Sequence, residues 1–504
     1  MSLKKNILAS YIGQIYVTLI GIAMVPVHVR FMGAEAYGLV GFFVMLQAWF
    51  QLLDMGLTPT LAREVAQFRG GAVGSLHLRR LLRVMEGIFA GIALLGCIAM
   101  MAGSGVIAAD WLKVQRLSLI EVQNSIILIS MIVALRWISG LYRGAITGFE
   151  QLVWLSHFNS ILATARFVIV IPYFMYVGVS PTDFFFYQLV LALLEIAVLL
   201  SRTYRLLPKI EIQQCIEWEW SSIKEALKFS VTISFASFVW VLATQADKLV
   251  LSKLLSLAEY GYFTLAAMVA GGVAAIANPI SGALLPRLTK LSAEGNDAAL
   301  IALYRTATQL VLVMAVPATL MLAFFSKKIL WVWTGDVALV DKVASVLILY
   351  TVGTGFAVLS AFPYYLQYAK GSLRLHLIGS LFFILMFVPT LFFAIEELGM
   401  IGAGITWLAV NFVYFVLWPP IVYRSFSPGL YWSWLLKDVV AVIIPVALCA
   451  WAIQINATWP VGRFAMGFQL CIIAGLLVFI SGLSSNEARS VLVTQIFRFK
   501  KVVN

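Results

Sequence analysis

About fourteen runs of roughly 20 predominantly apolar residues follow one another along the chain, and a helix of that length crosses the hydrocarbon of a bilayer. They fall at 7–28, 36–57, 84–103, 119–140, 153–177, 183–203, 228–250, 258–284, 306–326, 341–367, 375–395, 400–423, 436–454 and 463–482. An all-α polytopic membrane protein is the expectation. The connectors are short, the longest at about 58–83 and 202–224, with room for a surface helix but not for a soluble domain. Of the 504 residues 62% are hydrophobic and only 12% charged, a balance no soluble globule could bury.

The net charge of +12 does not point to nucleic acid, because the basic residues sit in short clusters between apolar runs. With an even number of spans and the N-terminus inside, about 24 of the 35 Lys and Arg residues fall on the cytoplasmic side and about nine outside. Both termini are then cytoplasmic. The run after MSLKK lacks a small-residue cleavage site and reads as a retained first span. Cys97, Cys215, Cys449 and Cys471 show neither metal-ligand nor disulfide spacing, and no Gly-rich phosphate loop is present. No cofactor is expected.

The stretch from Lys228 to Gly261 repeats the layout of Lys5 to Gly38 at constant offset. Lys5 aligns with Lys228, Arg30 with Lys253, Tyr37 with Tyr260, Gly38 with Gly261 and Met45 with Met268. Two homologous halves follow, a common way to build a transporter whose lobes rock about a central substrate. The second copy of the helix ends in Gln245, Asp247 and Lys248, groups that a lipid-facing helix rarely carries.

Two basic residues lie deep inside spans, Arg136 in the fourth and Arg166 in the fifth. A guanidinium at membrane depth costs about 2.5–3.5 kcal/mol on insertion scales, so each should face a cavity or a carboxylate. Arg136, Gly140 and Arg143 share a helical face, as do Asn159, Ala163 and Arg166. Two readings stand: a structural pair of Arg166 or Arg136 with Glu195 or Glu121, or a cationic lining. Polar stripes add Gln14 on the first span and Gln47, Gln51 and Asp54 on the second, as packing faces or as the wall of a path. Asp54 and Asp247 are either cation-coupling carboxylates or helix-end charges, Asp247 then pairing with Lys248 or Lys253. Prolines within or at the ends of several spans, among them Pro26, Pro317, Pro363 and Pro389, either mark bends or reflect the higher frequency of proline in membrane helices.

The opening RFMGAEAYGLVGFF and LLDMGLTPTLAREVA, with ADKLVLSKLLSLAEYGYFTLA in the second half, resembles the bacterial polysaccharide flippases of the Wzx type. These are relatives of the MATE multidrug exporters and lipid II flippases. The resemblance implies two six-helix lobes around a central cavity, at 1–204 and 228–425, joined by a cytoplasmic linker at 205–227. An extra helix pair and a basic tail fill 426–504. It also implies export of an undecaprenyl-diphosphate-linked oligosaccharide across the bacterial inner membrane, among membrane lipids and alongside a polysaccharide polymerase complex. On that reading Arg136, Arg143 and Arg166 contact the diphosphate or an acidic sugar, with Lys248 and Arg30 nearer the exit.

Two rival classes have specific requirements. A MATE-like antiporter for cationic drugs would need acidic residues where this chain has deep arginines. A polysaccharide polymerase or ligase would need a sizeable outer loop with catalytic groups, and His28, His77, His157 and His376 are scattered. An enzyme is not expected.

Overall fold

The computed structural model describes residues 3–208, 238, 241–242, 244–485 and 489, with side chains of residues 3–9 and 277–283 left aside. Lipid offers the backbone no hydrogen-bond partner, so each apolar run closes its own bonds as a helix. Twelve helices among the described residues are long and apolar enough to cross a membrane. One of them, Arg374–Phe426, is two spans joined end to end, broken at Gly399 where φ is 56° and ψ −136°. The expected span at 228–250 lies mostly outside the described residues, and its end at 244–254 is helical. Thirteen of the expected spans are found among the described residues, and the one expected at 228–250 lies mostly outside them.

The chain divides into two compact units, Met1–Gly261 and Tyr262–Asn504. Most of the linker expected at 205–227 lies outside the described residues, and the residues from 244 to 261 belong to the first unit. That unit comprises α1 (Leu3–Met32), α2 (Ala34–Phe50), α3 (Leu57–Arg69), α4 (Ser75–Ala102), α5 (Leu119–Gly148), α6 (Leu152–Tyr176) and α7 (Pro181–Leu206). Helix α3 is the expected surface element, burying Leu57, Leu61 and Val65 at i, i+4 and i+8 against α5. At the centre is α5, packed on α7, α4 and α3, and its Trp137 stacks on Phe89 of α4 at 4.4 Å. Sequence punctuation sets the boundaries. Ser180 and Asp183 form a reciprocal capping box with Pro181 in the first turn of α7, and Ser118 caps α5 by accepting from the Glu121 N–H.

The repeat is visible in the packing. Gly38 lies so close to Leu257 that a Cβ would strike its carbonyl oxygen, and a Cβ on Gly261 would likewise strike the carbonyl of Ala34. Under the repeat offset Gly38 corresponds to Gly261 and Ala34 to Leu257, so the contact is reciprocal. A strap of polar contacts supports it. Glu35, 7% exposed, accepts the backbone N–H groups of Gln115 (2.5 Å) and Arg116 (2.9 Å), while Trp111 donates to Ser252 and Lys113 to the Leu254 carbonyl.

The second unit holds α8 (Leu257–Ala293) from Tyr262 onward, with α9 (Asp297–Thr334), α10 (Val337–Ala369), α11 (Arg374–Phe426), α12 (Leu430–Asn456) and α13 (Arg463–Ser484). Its core gathers Tyr304, Phe325, Phe362, Tyr423, Trp434, Val446 and Leu477. The last two helices pack on α9, so they belong to this unit's body.

Candidate functional site

Helices α5, α6 and α7 bring the deep charges of the first unit together. The two oxygens of Glu195 on α7 are held by different cations: Oε1 accepts from Arg143 Nη2 at 2.5 Å, and Oε2 accepts from Arg166 Nη2. Arg143 also donates to the Asn159 side-chain oxygen through Nη1. Arg136, two helical turns away on α5, meets no carboxylate within salt-bridge distance among the described residues. It donates to Gln188 Oε1 at 2.9 Å and to Gln47 Oε1 at 3.5 Å, and its guanidinium carbon lies 5.0 Å from the centre of the Phe43 ring.

Helical spacing explains the convergence. Gln188 and Glu195 are seven residues apart on one face of α7, Asn159 and Arg166 seven apart on α6, and Arg136 and Arg143 seven apart on α5. The faces meet to form a cluster of three guanidinium groups and one carboxylate. Glu195 is 3% exposed, while the side chains of Arg143 and Arg166 keep 27% and 20% of their surface accessible. Both cations are therefore reachable. Among the described residues the buried Nε–H groups of Arg136 and Arg166 have no acceptor, an unusual state for a charged donor.

Arg166 sits on a π-helical turn, Ala165–Ile169. Such a turn disturbs the regular backbone ladder, and π-bulges are frequent at functional sites. Three consecutive carbonyls here take donors from other helices: Tyr187 Oη–H reaches Ala165 O at 2.7 Å, Gln188 Nε2 reaches Arg166 O at 3.3 Å, and His28 Nε2 reaches Phe167 O at 3.0 Å. A carbonyl only accepts, so the His28 proton is on Nε2. Helices α1 and α7 thus fix the turn that carries Arg166.

The remaining candidates from the sequence have other surroundings. Asp54 accepts from the N–H of Thr58 at 3.2 Å and from its hydroxyl at 2.5 Å, at the start of α3. Asp247, 1% exposed, lies 3.4 Å from Lys248 Nζ, which also donates to the Thr244 carbonyl at 2.7 Å. Asp54 thus ties down the first turn of α3, whose N-cap is Gly56, and Asp247 sits in an ion pair. Gln14, Gln51 and Arg30 are exposed, and Gln245 is half-buried. Of the two pairings weighed for Glu195, Arg166 is found and Arg136 is not, Arg143 taking the second place. Gln188 and Phe43 went unread; their signal was spacing, Gln188 seven residues before Glu195 and Phe43 four before Gln47. Among the described residues no group of His, Cys, Asp and Glu could hold a metal ion.

A cluster with more cationic than anionic groups, inside spanning helices and accessible at two of its guanidiniums, can hold an anion. Arginine's planar fork suits phosphate or carboxylate, making two parallel charge-assisted hydrogen bonds. Such a site repels a cation.

The family described as polysaccharide biosynthesis protein matches residues 3–292. A protein of Shigella flexneri named as an O-antigen transporter is 19% identical over 418 residues, 81% of this chain and 94% of that one. Among solved structures, the lipid II flippase MurJ in an inward closed conformation superimposes with a TM-score of 0.71 at 14% identity, covering 97% of this chain and 99% of that one. An inward-facing MATE family multidrug transporter of the MOP superfamily gives 0.66 at 15% identity over 82% and 94%. At those identities the likeness carries the fold. With a fold like that of the MurJ and MATE structures, the chain belongs to the polysaccharide biosynthesis protein family.

Proposed function

We propose that this protein moves an undecaprenyl-diphosphate-linked oligosaccharide from the cytoplasmic to the periplasmic leaflet of a bacterial inner membrane, by alternating access, for surface polysaccharide biosynthesis. The observation that carries the proposal is the arginine cluster: Arg136, Arg143 and Arg166 against the single carboxylate of Glu195. A diphosphate bearing sugars is a large polar anion on an apolar tail. The cations take the head while the tail stays in lipid. The relatives support the direction of this reading, since one is named as an O-antigen transporter and another as a lipid II flippase. The halves around 1–204 and 228–425 would act as the rocking lobes, and the work is transport rather than catalysis.

The test is made in cells lacking the chain. Lipid-linked oligosaccharide should accumulate in the cytoplasmic leaflet while surface polysaccharide disappears. Wild type should reverse both, and Arg166→Ala at equal expression should reverse neither. Normal surface polysaccharide with no accumulation would overturn the proposal and return weight to a drug antiporter, which a dye-efflux assay on the same cells would then register.

A further inference from the structure

Glu195 holds its two partners in the manner of a bound anion. Each oxygen bridges to a different helix, Oε1 to Arg143 on α5 and Oε2 to Arg166 on α6, and two oxygens of a diphosphate would bridge the same pair in the same way. The carboxylate is almost closed off at 3% exposure, while its two cations remain accessible. An anion approaching the cluster therefore meets guanidiniums whose inner donors are already engaged. The buried Nε–H groups of Arg136 and Arg166 have no acceptor among the described residues. Arg136 is the member that Glu195 does not hold, and its hydrogen-bond partners among the described residues are the neutral Gln188 and Gln47.

Resting on the flippase reading above, we infer that Glu195 is a resident competitor for the substrate's diphosphate. Arg136 attracts the incoming anion, and the diphosphate must then share or take Arg143 and Arg166 from the carboxylate. When the substrate leaves, Glu195 recovers both. A carrier that must release what it binds cannot bind too tightly, the same balance that governs conduction through a filter. The competitor sets that balance: it weakens affinity and speeds release. It also keeps the two cations positioned between cycles, because unpaired charges would otherwise be left among spanning helices.

The experiment uses purified full-length protein in lipid nanodiscs, titrated with inorganic pyrophosphate by calorimetry. Turnover of lipid-linked oligosaccharide in proteoliposomes is measured alongside. Glu195→Gln keeps the shape and removes the charge, so pyrophosphate should bind roughly tenfold tighter or more, with turnover slowed. Glu195→Asp keeps the charge on a shorter arm and should fall between. If Glu195→Gln does not fold, the aspartate variant carries the test by the same tightening. Affinity unchanged or weakened in whichever variant folds would overturn the inference and make Glu195 a packing counter-ion. That failure is separable from failure of the flippase reading, which the accumulation assay in cells decides independently.

Discussion

Asp438 and Glu195 are both carboxylates buried in spanning helices, and their surroundings divide them. Asp438 is 0% exposed and receives Arg305 through Nε at 2.6 Å and Nη2 at 3.0 Å, with Gln309 Nε2 at 2.7 Å. Ser485 in turn donates to the Gln309 oxygen at 2.9 Å, tying the end of α13 to the same knot. One cation meets one anion in a bidentate fork, which is the arrangement of a structural joint. Removing the Asp438 carboxylate takes a charge-assisted fork from Arg305, whose side chain is 32% exposed, so Asp438→Ala should cost about 1–3 kcal/mol, read as a lowered melting temperature of the purified protein. Lys327 and Asp341, at 69% and 67% exposure, also form a pair, yet Asp341→Ala should change stability by only about 0–1 kcal/mol. Glu195 differs from Asp438 because it is shared by two arginines beside a third, and that surplus is what suits its cluster to an anion.

At the scale of the element, two glycines are required for two different reasons. Gly399 breaks α11 with φ 56° and ψ −136°, and a Cβ there would meet nothing within 4 Å, so its need is conformational alone. Gly38 is helical, and its need is space, since a Cβ would run into the Leu257 carbonyl. Gly399→Ala should therefore lose about 1–3 kcal/mol through backbone strain. Gly38→Ala should lose a similar amount, about 1–3 kcal/mol, through overpacking, and Gly261→Ala should match it because the contact is reciprocal. Thermal melts of the three variants in one detergent would check this, and an unaffected Gly261→Ala would contradict the symmetry. Run length and repeat were legible in the sequence because bilayer thickness and a duplicated Tyr-Gly are written locally: 375–395 and 400–423 read as separate spans on either side of the break. The π turn at Ala165–Ile169 was not, since the groups on its carbonyls come from α1 and α7. Nor was the choice of Arg143 over Arg136 for Glu195, which depends on how α5 and α7 are rotated toward each other. Asp54 and Asp247 show the same limit from the other side: a polar residue near a span end looks identical in sequence whether it caps, pairs or couples.

For the molecule as a whole, orientation decides what the membrane potential does to the proposed diphosphate cargo. About 24 basic residues lie on the side assigned to the cytoplasm against about nine opposite, the asymmetry that retains loops inside during insertion. With that orientation, carrying two negative charges outward is favoured by ~4–5 kcal/mol at about 100 mV inside-negative. Reversing the chain would turn the same energy against export, so orientation and transport direction stand or fall together. The described helices locate the probes. Gly71 tips the turn between α3 and α4, Val179 lies in the connection between α6 and α7, and Val461, 92% exposed, lies between α12 and α13. Counting crossings from an inner N-terminus places Gly71 inside and the two valines outside. In a chain whose four native cysteines are replaced, Val179→Cys and Val461→Cys should react with a membrane-impermeant maleimide on intact spheroplasts, and Gly71→Cys only after permeabilisation. The inverse pattern would reverse the orientation and, with it, the export that the potential is argued to drive.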